Sequence, residues 1–224
     1  MRPMAKNSGK EKAAPPFSLP VLTGFDSTSL EPAHDYDAVL FEDLDFTGQE
    51  AADARFLECR LERCCVEGLS MQRVRVVGCL LADLFGASVD FADSTWRDSM
   101  ITGGRLGAIA LPGATWTGIR LRGVKLGFVN LAGARLEDVA FEKCEIGSID
   151  AGAAQLRAVT FAGCTVEELN VAEATLSKVD LSGARLRTLV GVDNLHGAIV
   201  SHQQVLDLAP QLAAQLGLEV RPDT

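Results

Sequence analysis

The sequence predicts an all-β solenoid: a quadrilateral β-helix of about 7–8 coils, each built of four pentapeptides, with a C-terminal α-helical cap. Three observations predict it. A five-residue register runs without a slip from Phe41 to Val190. Two columns of that register are apolar and the other three are mixed. Beyond residue 200 the spacing of apolar residues changes to three and four, the spacing of a helix.

The first column reads Phe41, Phe46, Ala51, Phe56, Leu61, Val66 and continues to Leu186, and only Gly86 in it lacks an apolar side chain. The fourth column lies two residues earlier: Val39, Leu44, Ala54, Cys59, Cys64, Leu69, with Gln49 the clear exception. Gaps therefore alternate between two and three, whereas a helix gives three and four and a simple strand gives two. A chain that turns a corner every five residues satisfies this, and four sides close a coil of twenty. Both apolar columns point inward. Stacked at about 4.8 Å, the coils make a rod of roughly 35–40 Å in which each coil touches only its neighbours. Trp96 and Trp116 then share one side of adjacent coils, with Gly86 and Gly104 opposite. Large against small suits a close-packed interior; an aromatic cleft is the functional alternative.

The motifs FADST, LAGAR, FAGCT, VAEAT and LSGAR resemble the A-(D/N)-L-x-x pattern of the pentapeptide-repeat family. The resemblance spans Phe41 to Val190 and implies a right-handed quadrilateral β-helix. The chain departs from the pattern where Val, Ile or Leu replaces the family's Ala. The ending GVDNLHGAIVSHQQVLDLAPQLAAQLG is similar to that of many actinobacterial members, suggesting a bacterial origin.

In chain order, residues 1–36 read as a flexible, basic and Pro-rich tail and lead-in, in which Phe17, Leu19, Val21 and Leu22 lie along the first coil or cover its end. Residues 37–199 are the β-helix. Its surface charge is uneven: from residue 99 to 136 there is no acidic residue, while Arg105, Arg120, Arg122, Lys125 and Arg135 fall there. Those five form a candidate belt for an anionic partner, or else an ordinary solvated surface whose charges face different sides. His196 falls where an inward residue belongs and reads as a frayed or capped end. Residues 200–217 read as a helical cap, with Ser201 as N-cap, Gly217 as the stop, and Val205, Leu208, Ala209, Leu212 and Leu216 as its apolar stripe. Pro210 should kink or split it. Covering the last coil is one role for the stripe. Homodimerisation is the other, which the resemblance implies because some family members pair end to end through C-terminal helices. Residues 218–224 are a tail.

The net charge of -9 disfavours nucleic acid as a direct partner. No apolar run reaches the length of a membrane span, and MRPMAKNSGKEKAAPP lacks the apolar core of a signal peptide, so a cytoplasmic protein without membrane contact is expected. Cys59, Cys64, Cys79, Cys144 and Cys164 fall in the inward fourth column as small hydrophobes; Cys65 alone faces outward. Neither disulfide nor metal spacing is expected of them. His34, His196 and His202 pair with no nucleophile, and no phosphate loop or catalytic constellation stands out. No enzyme and no cofactor is therefore expected. The expected role is a non-enzymatic scaffold that binds a protein. The alternative, implied by the resemblance, is a DNA mimic that binds DNA gyrase or topoisomerase IV and modulates fluoroquinolone sensitivity.

Overall fold

The backbone sets the coil before the side chains fill it. At most corners the third residue of the pentapeptide has left-handed φ: 55° at Asp43, 62° at Asp53, 53° at Asp138. Among the described residues sixteen of these are not glycine, and each would cost about 1–2 kcal/mol in isolation. The stack imposes them. Asp43 N donates to Glu62 O at 3.0 Å and Asp53 N to Gln72 O at 2.9 Å, and the same bond recurs from coil to coil. The computed structural model describes residues 18–215 and 217–220; the basic tail, Phe17, Leu216 and residues 221–224 lie outside the described residues.

Parallel partners sit one coil apart, Trp96 opposite Trp116 and Leu106 opposite Leu126. We number the four sides by their inward residues: side one carries Trp96, side two Ile101, side three Leu106 and side four Leu111. Sides one and two form a fifteen-stranded sheet and side three a seven-stranded one. Side four stacks through turns, with Leu111 N donating to Asn130 O at 2.8 Å. The corner between sides three and four differs from the others. There the strands Phe85–Asp90, Arg105–Ala110 and Lys125–Asn130 run through without a left-handed residue. That exception admits Phe128, a bulky residue at a position where the left-handed conformation would strain it.

Both apolar columns point inward. From Phe41 to Leu181 every first-column residue is buried except Gly86, and from Ala54 to Leu189 every fourth-column residue except Gly104. Leu121, Leu126, Leu131 and Leu136 are each 3 % exposed or less. The solenoid has about nine turns, more than the register alone suggests, because both ends extend it. Tyr36 stacks on Phe56 at 4.9 Å, and Phe25 packs 4.6 Å from Phe41 over the first coil. Gln49, the polar exception in the inward column, clips the lead-in down: its Oε1 accepts from Leu30 N at 2.8 Å and its Nε2 donates to Thr28 O at 3.0 Å.

At the far end Ala198 pairs with Val179, one residue short of a full coil, after a 3-10 turn at Val192–Asn194. His196 is exposed there. Helix α1 spans His202–Gln215. Ser201 Oγ accepts from Gln204 N at 3.2 Å and Gln204 Oε1 accepts from Ser201 N at 2.8 Å, a reciprocal capping box. Gln204 Nε2 also donates to Leu181 O at 2.7 Å and to Ala184 O at 2.9 Å, fastening the helix to the last coil. Leu208 is buried and Leu212 packs on the core. Pro210 does not split the helix: one helix runs through it, held by Leu208 and Leu212 on either side.

The tryptophan–glycine arrangement has a different cause from simple size matching. Trp96 and Trp116 pack 5.7 Å apart, and a void of about 10 Å³ remains among Val66, Leu84, Trp96, Leu106 and Trp116. A Cβ on Gly86 would meet Glu67 N at 2.9 Å; one on Gly104, whose φ is 76°, would meet Leu84 O at 2.2 Å. The backbone of the preceding coil, not a tryptophan ring, excludes side chains at both positions.

Candidate interaction surface

A coil of twenty places residue i beneath residue i+20, so outward side chains form ladders along the rod. Arg122 Nε lies 2.8 Å from Glu142, Lys125 Nζ 2.8 Å from Glu145, and Arg120 Nη2 3.2 Å from Asp138. Arg135 Nε donates to Gln155 Oε1 at 3.1 Å. Three of the five basic residues thus pair with acids just past the acid-free segment, and Arg135 bonds to the neutral Gln155. They also face different ways: Arg120 and Arg122 lie outside side two, Arg135 on side one, and Arg105 and Lys125 on side three. The five do not form one belt. The sequence carried the signal for the ion pairs in its twenty-residue offset, Arg122 against Glu142 and Lys125 against Glu145.

Arg105 and Lys125 instead border a groove of about 530 Å³ on side three. Gly107, Gly127 and Gly147 form its floor, and Glu145 and Glu167 line its far end. A Cβ on Gly127 would stand 2.3 Å from Gly107 O, so close stacking of the coils keeps the floor bare. Phe85 and Phe128 on the same side are 49 % and 40 % exposed. Neither the bare floor nor these aromatic residues follow from the apolar columns, because all lie in outward positions.

Acidic and basic residues pair in ladders elsewhere too. Arg63 reaches Asp43 and Glu42, each at 2.7 Å, and Glu62 at 2.6 Å; Arg73 reaches Asp53 at 2.7 Å. The hydrogen bonds from these guanidinium groups hold the Asp43 and Asp53 carboxyls below the usual range.

All six cysteines are free thiols. The inward ones do more than fill space. Cys59 N donates to Cys79 Sγ at 3.3 Å, Cys79 N to Ser99 Oγ at 3.0 Å, and Cys144 N to Cys164 Sγ at 3.4 Å. The hydrogen bond with its neighbour one coil away, and then burial, push the thiols of Cys79 and Cys144 up. Cys65 is half-buried, with Thr47 Oγ1 at 3.4 Å from its sulfur. His34 packs on Tyr36 at 4.6 Å, while His196 and His202 are exposed. Among the described residues no three His, Cys, Asp or Glu converge as metal ligands, and no helix is long and apolar enough to cross a membrane.

On α1, Leu208 is buried and Leu212 half-buried, whereas Val205, Leu206 and Ala209 are exposed. Leu206 lies outside the expected stripe. Together with Ile199 it leaves apolar surface at the end of the rod.

The Pentapeptide repeats profile matches the chain in eight copies, with residues 154–188 matched. No curated protein matches the sequence. Among solved structures, HetL, a pentapeptide-repeat protein involved in heterocyst differentiation regulation from the cyanobacterium Nostoc, is 18% identical. That match covers 75% of this chain and 90% of HetL, with a TM-score of 0.39. Trypsin-treated QnrB1 carrying R167E, a plasmid-mediated fluoroquinolone resistance protein, is 13% identical over 84% of this chain and 100% of its own, with a TM-score of 0.31. Full-length QnrB1 is 15% identical over 84% and 94%, with a TM-score of 0.26. The unbroken register and the four-sided coil it builds agree with the profile match over residues 154–188, and make this chain similar to the pentapeptide-repeat proteins.

Proposed function

We propose that the chain is a protein-binding scaffold without chemistry of its own, and that side three is its binding face. The observation that carries this is the groove of about 530 Å³ bordered by Arg105, Lys125 and Glu145 beside exposed Phe128. The apolar columns fill the interior, so a ligand must use the outside. A bare floor beside a charged rim, with Phe128 exposed one residue along the strand from Gly127, suits an extended segment of a partner protein that brings a carboxylate to Arg105. A reducing compartment such as the cytoplasm fits six free thiols. Affinity capture with the wild type and with an Arg105→Glu, Phe128→Ser variant, at low and at physiological salt, tests the reading. A partner held by the wild type, lost from the variant and weakened by salt supports it. Identical captures overturn it.

A second reading, a DNA mimic acting on gyrase, is favoured by the ladders on the midsection. Glu142, Glu145 and Asp138 pair with Arg122, Lys125 and Arg120, so the basic midsection does not interrupt a chain of net charge -9 with an unopposed cationic patch. A supercoiling assay with purified gyrase decides it: neither inhibition nor protection from a quinolone at micromolar protein removes this reading. We further propose that Val205, Leu206 and Ile199, all at least 44 % exposed, support a homodimer through α1. Light scattering on Leu206→Glu checks it, and an unchanged mass overturns it.

A further inference from the structure

Outward positions of a solenoid mostly carry polar residues or small ones, yet on side two a group of outward apolar residues is buried. Leu80, Ala82 and Met100 point away from the core and form a separate apolar cluster, and they are only 7 %, 2 % and 3 % exposed. In register, Leu80 lies between Arg60 and Met100, and Ala82 between Glu62 and Thr102. Among the described residues, Leu19 packs on this cluster from outside.

The path of the chain follows from its anchors. Thr23–Gly24 pairs with Val39 and Leu40 on the first coil of side two, with Thr23 N donating to Ala38 O at 2.8 Å and Phe25 N to Leu40 O at 2.9 Å. Leu19 lies four residues earlier, about 13 Å of extended chain. Thr23–Gly24 stacks one strand outside Val39–Glu42, so Leu80 and Met100 lie three and four strands from it, roughly 14 and 19 Å along the rod. The arm from Leu19 to Thr23 therefore runs along the stacking direction, across the outside of successive coils. Pro20 biases Leu19 towards the extended conformation this requires. Among the described residues the arm's hold is light: a two-residue strand at its base and a half-buried leucine, with Val21 95 % exposed between them. Segments with so few buried contacts open at a free energy well below that of global unfolding.

We propose that the arm is an intramolecular ligand. The outer face of side two over Leu80, Ala82 and Met100 is a docking site for an extended, leucine-bearing segment of a partner protein, and Leu19 occupies that site until the partner displaces it. The choice of occupant rests on how the chain's own arm is seated: an extended segment laid along the rod, one aliphatic side chain set into the cluster. This deepens the protein-binding reading, on which it rests, but uses a different side of the rod from the groove.

The test uses the full chain and, as probe, a fluorescein-labelled peptide of residues 15–26. Leu19→Asp should release the arm and bind the peptide at least ~10-fold more tightly than the wild type, whose site is more than about nine-tenths occupied by its own arm. Adding Met100→Lys should abolish the binding, and a peptide carrying Leu19→Asp should not bind. Arg105→Glu, on side three, should leave it unchanged, so a failed groove and a failed arm site are told apart. Should Met100→Lys not fold, Ala82→Glu on the same cluster replaces it. A folded Leu19→Asp protein that ignores the peptide overturns the proposal, as does a wild type that binds it equally well. A wild-type dimer that Leu19→Asp dissolves assigns the face to arm exchange between copies, and overturns the partner reading.

Discussion

Trp96 and Trp116 differ in one hydrogen bond, and the repeat explains why. Trp96 Nε1 donates to Ser94 Oγ at 3.0 Å, and that hydroxyl donates to Phe91 O at 2.6 Å. One coil on, the residue in the serine's place is Ala114, and Trp116 Nε1 is buried with no partner. Ala114→Ser should supply the missing acceptor and stabilise the protein by about 0.5–1.5 kcal/mol, whereas Ser94→Ala should orphan a second indole and cost about 1–3 kcal/mol. Urea denaturation of both variants checks the opposed signs. At Gly104 the left-handed φ and the Leu84 carbonyl at 2.2 Å act together. Gly104→Ala should lose at least about 1–2 kcal/mol from the left-handed φ alone, read in the same experiment, although it adds only one methyl group to an otherwise apolar wall.

At the scale of elements, two glutamines close the two ends. Gln49 ties the lead-in to the first coil and Gln204 ties α1 to the last. Gln204→Ala leaves the carbonyls of Leu181 and Ala184 without that donor and should cost about 1–3 kcal/mol. It should raise hydrogen exchange in α1 before it does so in the coils. The apolar columns made the coil and the helix legible in the sequence, because Phe41 to Leu181 had to be inward for any of the pattern to make sense. The glutamines were not legible. Gln49 stood out only as an exception, and Gln204 lies outside the apolar stripe of its helix. Polar residues that work by reaching backbone oxygens leave no periodicity. The same holds for the surface: Arg105 and Lys125 could be placed in one ladder from their spacing, but the groove between them depends on Gly107 and Gly127, which lie outside both apolar columns. Leu80 and Met100 sat in outward columns in plain view, and only the course of the arm gave them a reason.

Across the whole molecule, stability is carried between neighbouring coils, and much of its charge is arranged the same way. Asp43 with Arg63 and Asp53 with Arg73 each bridge adjacent coils. Their carboxyls are depressed in the folded state, so their contribution is fully present above the ordinary aspartate value of about 3.9 and is lost as pH falls through the lower folded value. An Arg63→Ala, Arg73→Ala variant should therefore fall below the wild type at neutral pH and converge with it in acid. Denaturation followed from pH 7 down to 2 reads that convergence. The arm adds a coupling that nearest neighbours lack, since it spans from the first coil to those of Leu80 and Met100. The twenty-residue offset between paired strands has a last consequence for how such a chain can change in size. Removing five residues would turn everything downstream by a quarter revolution, carrying Lys125 and Glu145 around a corner from Arg105. Removing twenty would preserve every facing relationship. Insertions and deletions in this rod are therefore tolerated in quanta of a full circuit, and its surface can be lengthened or shortened only in those steps without being scrambled.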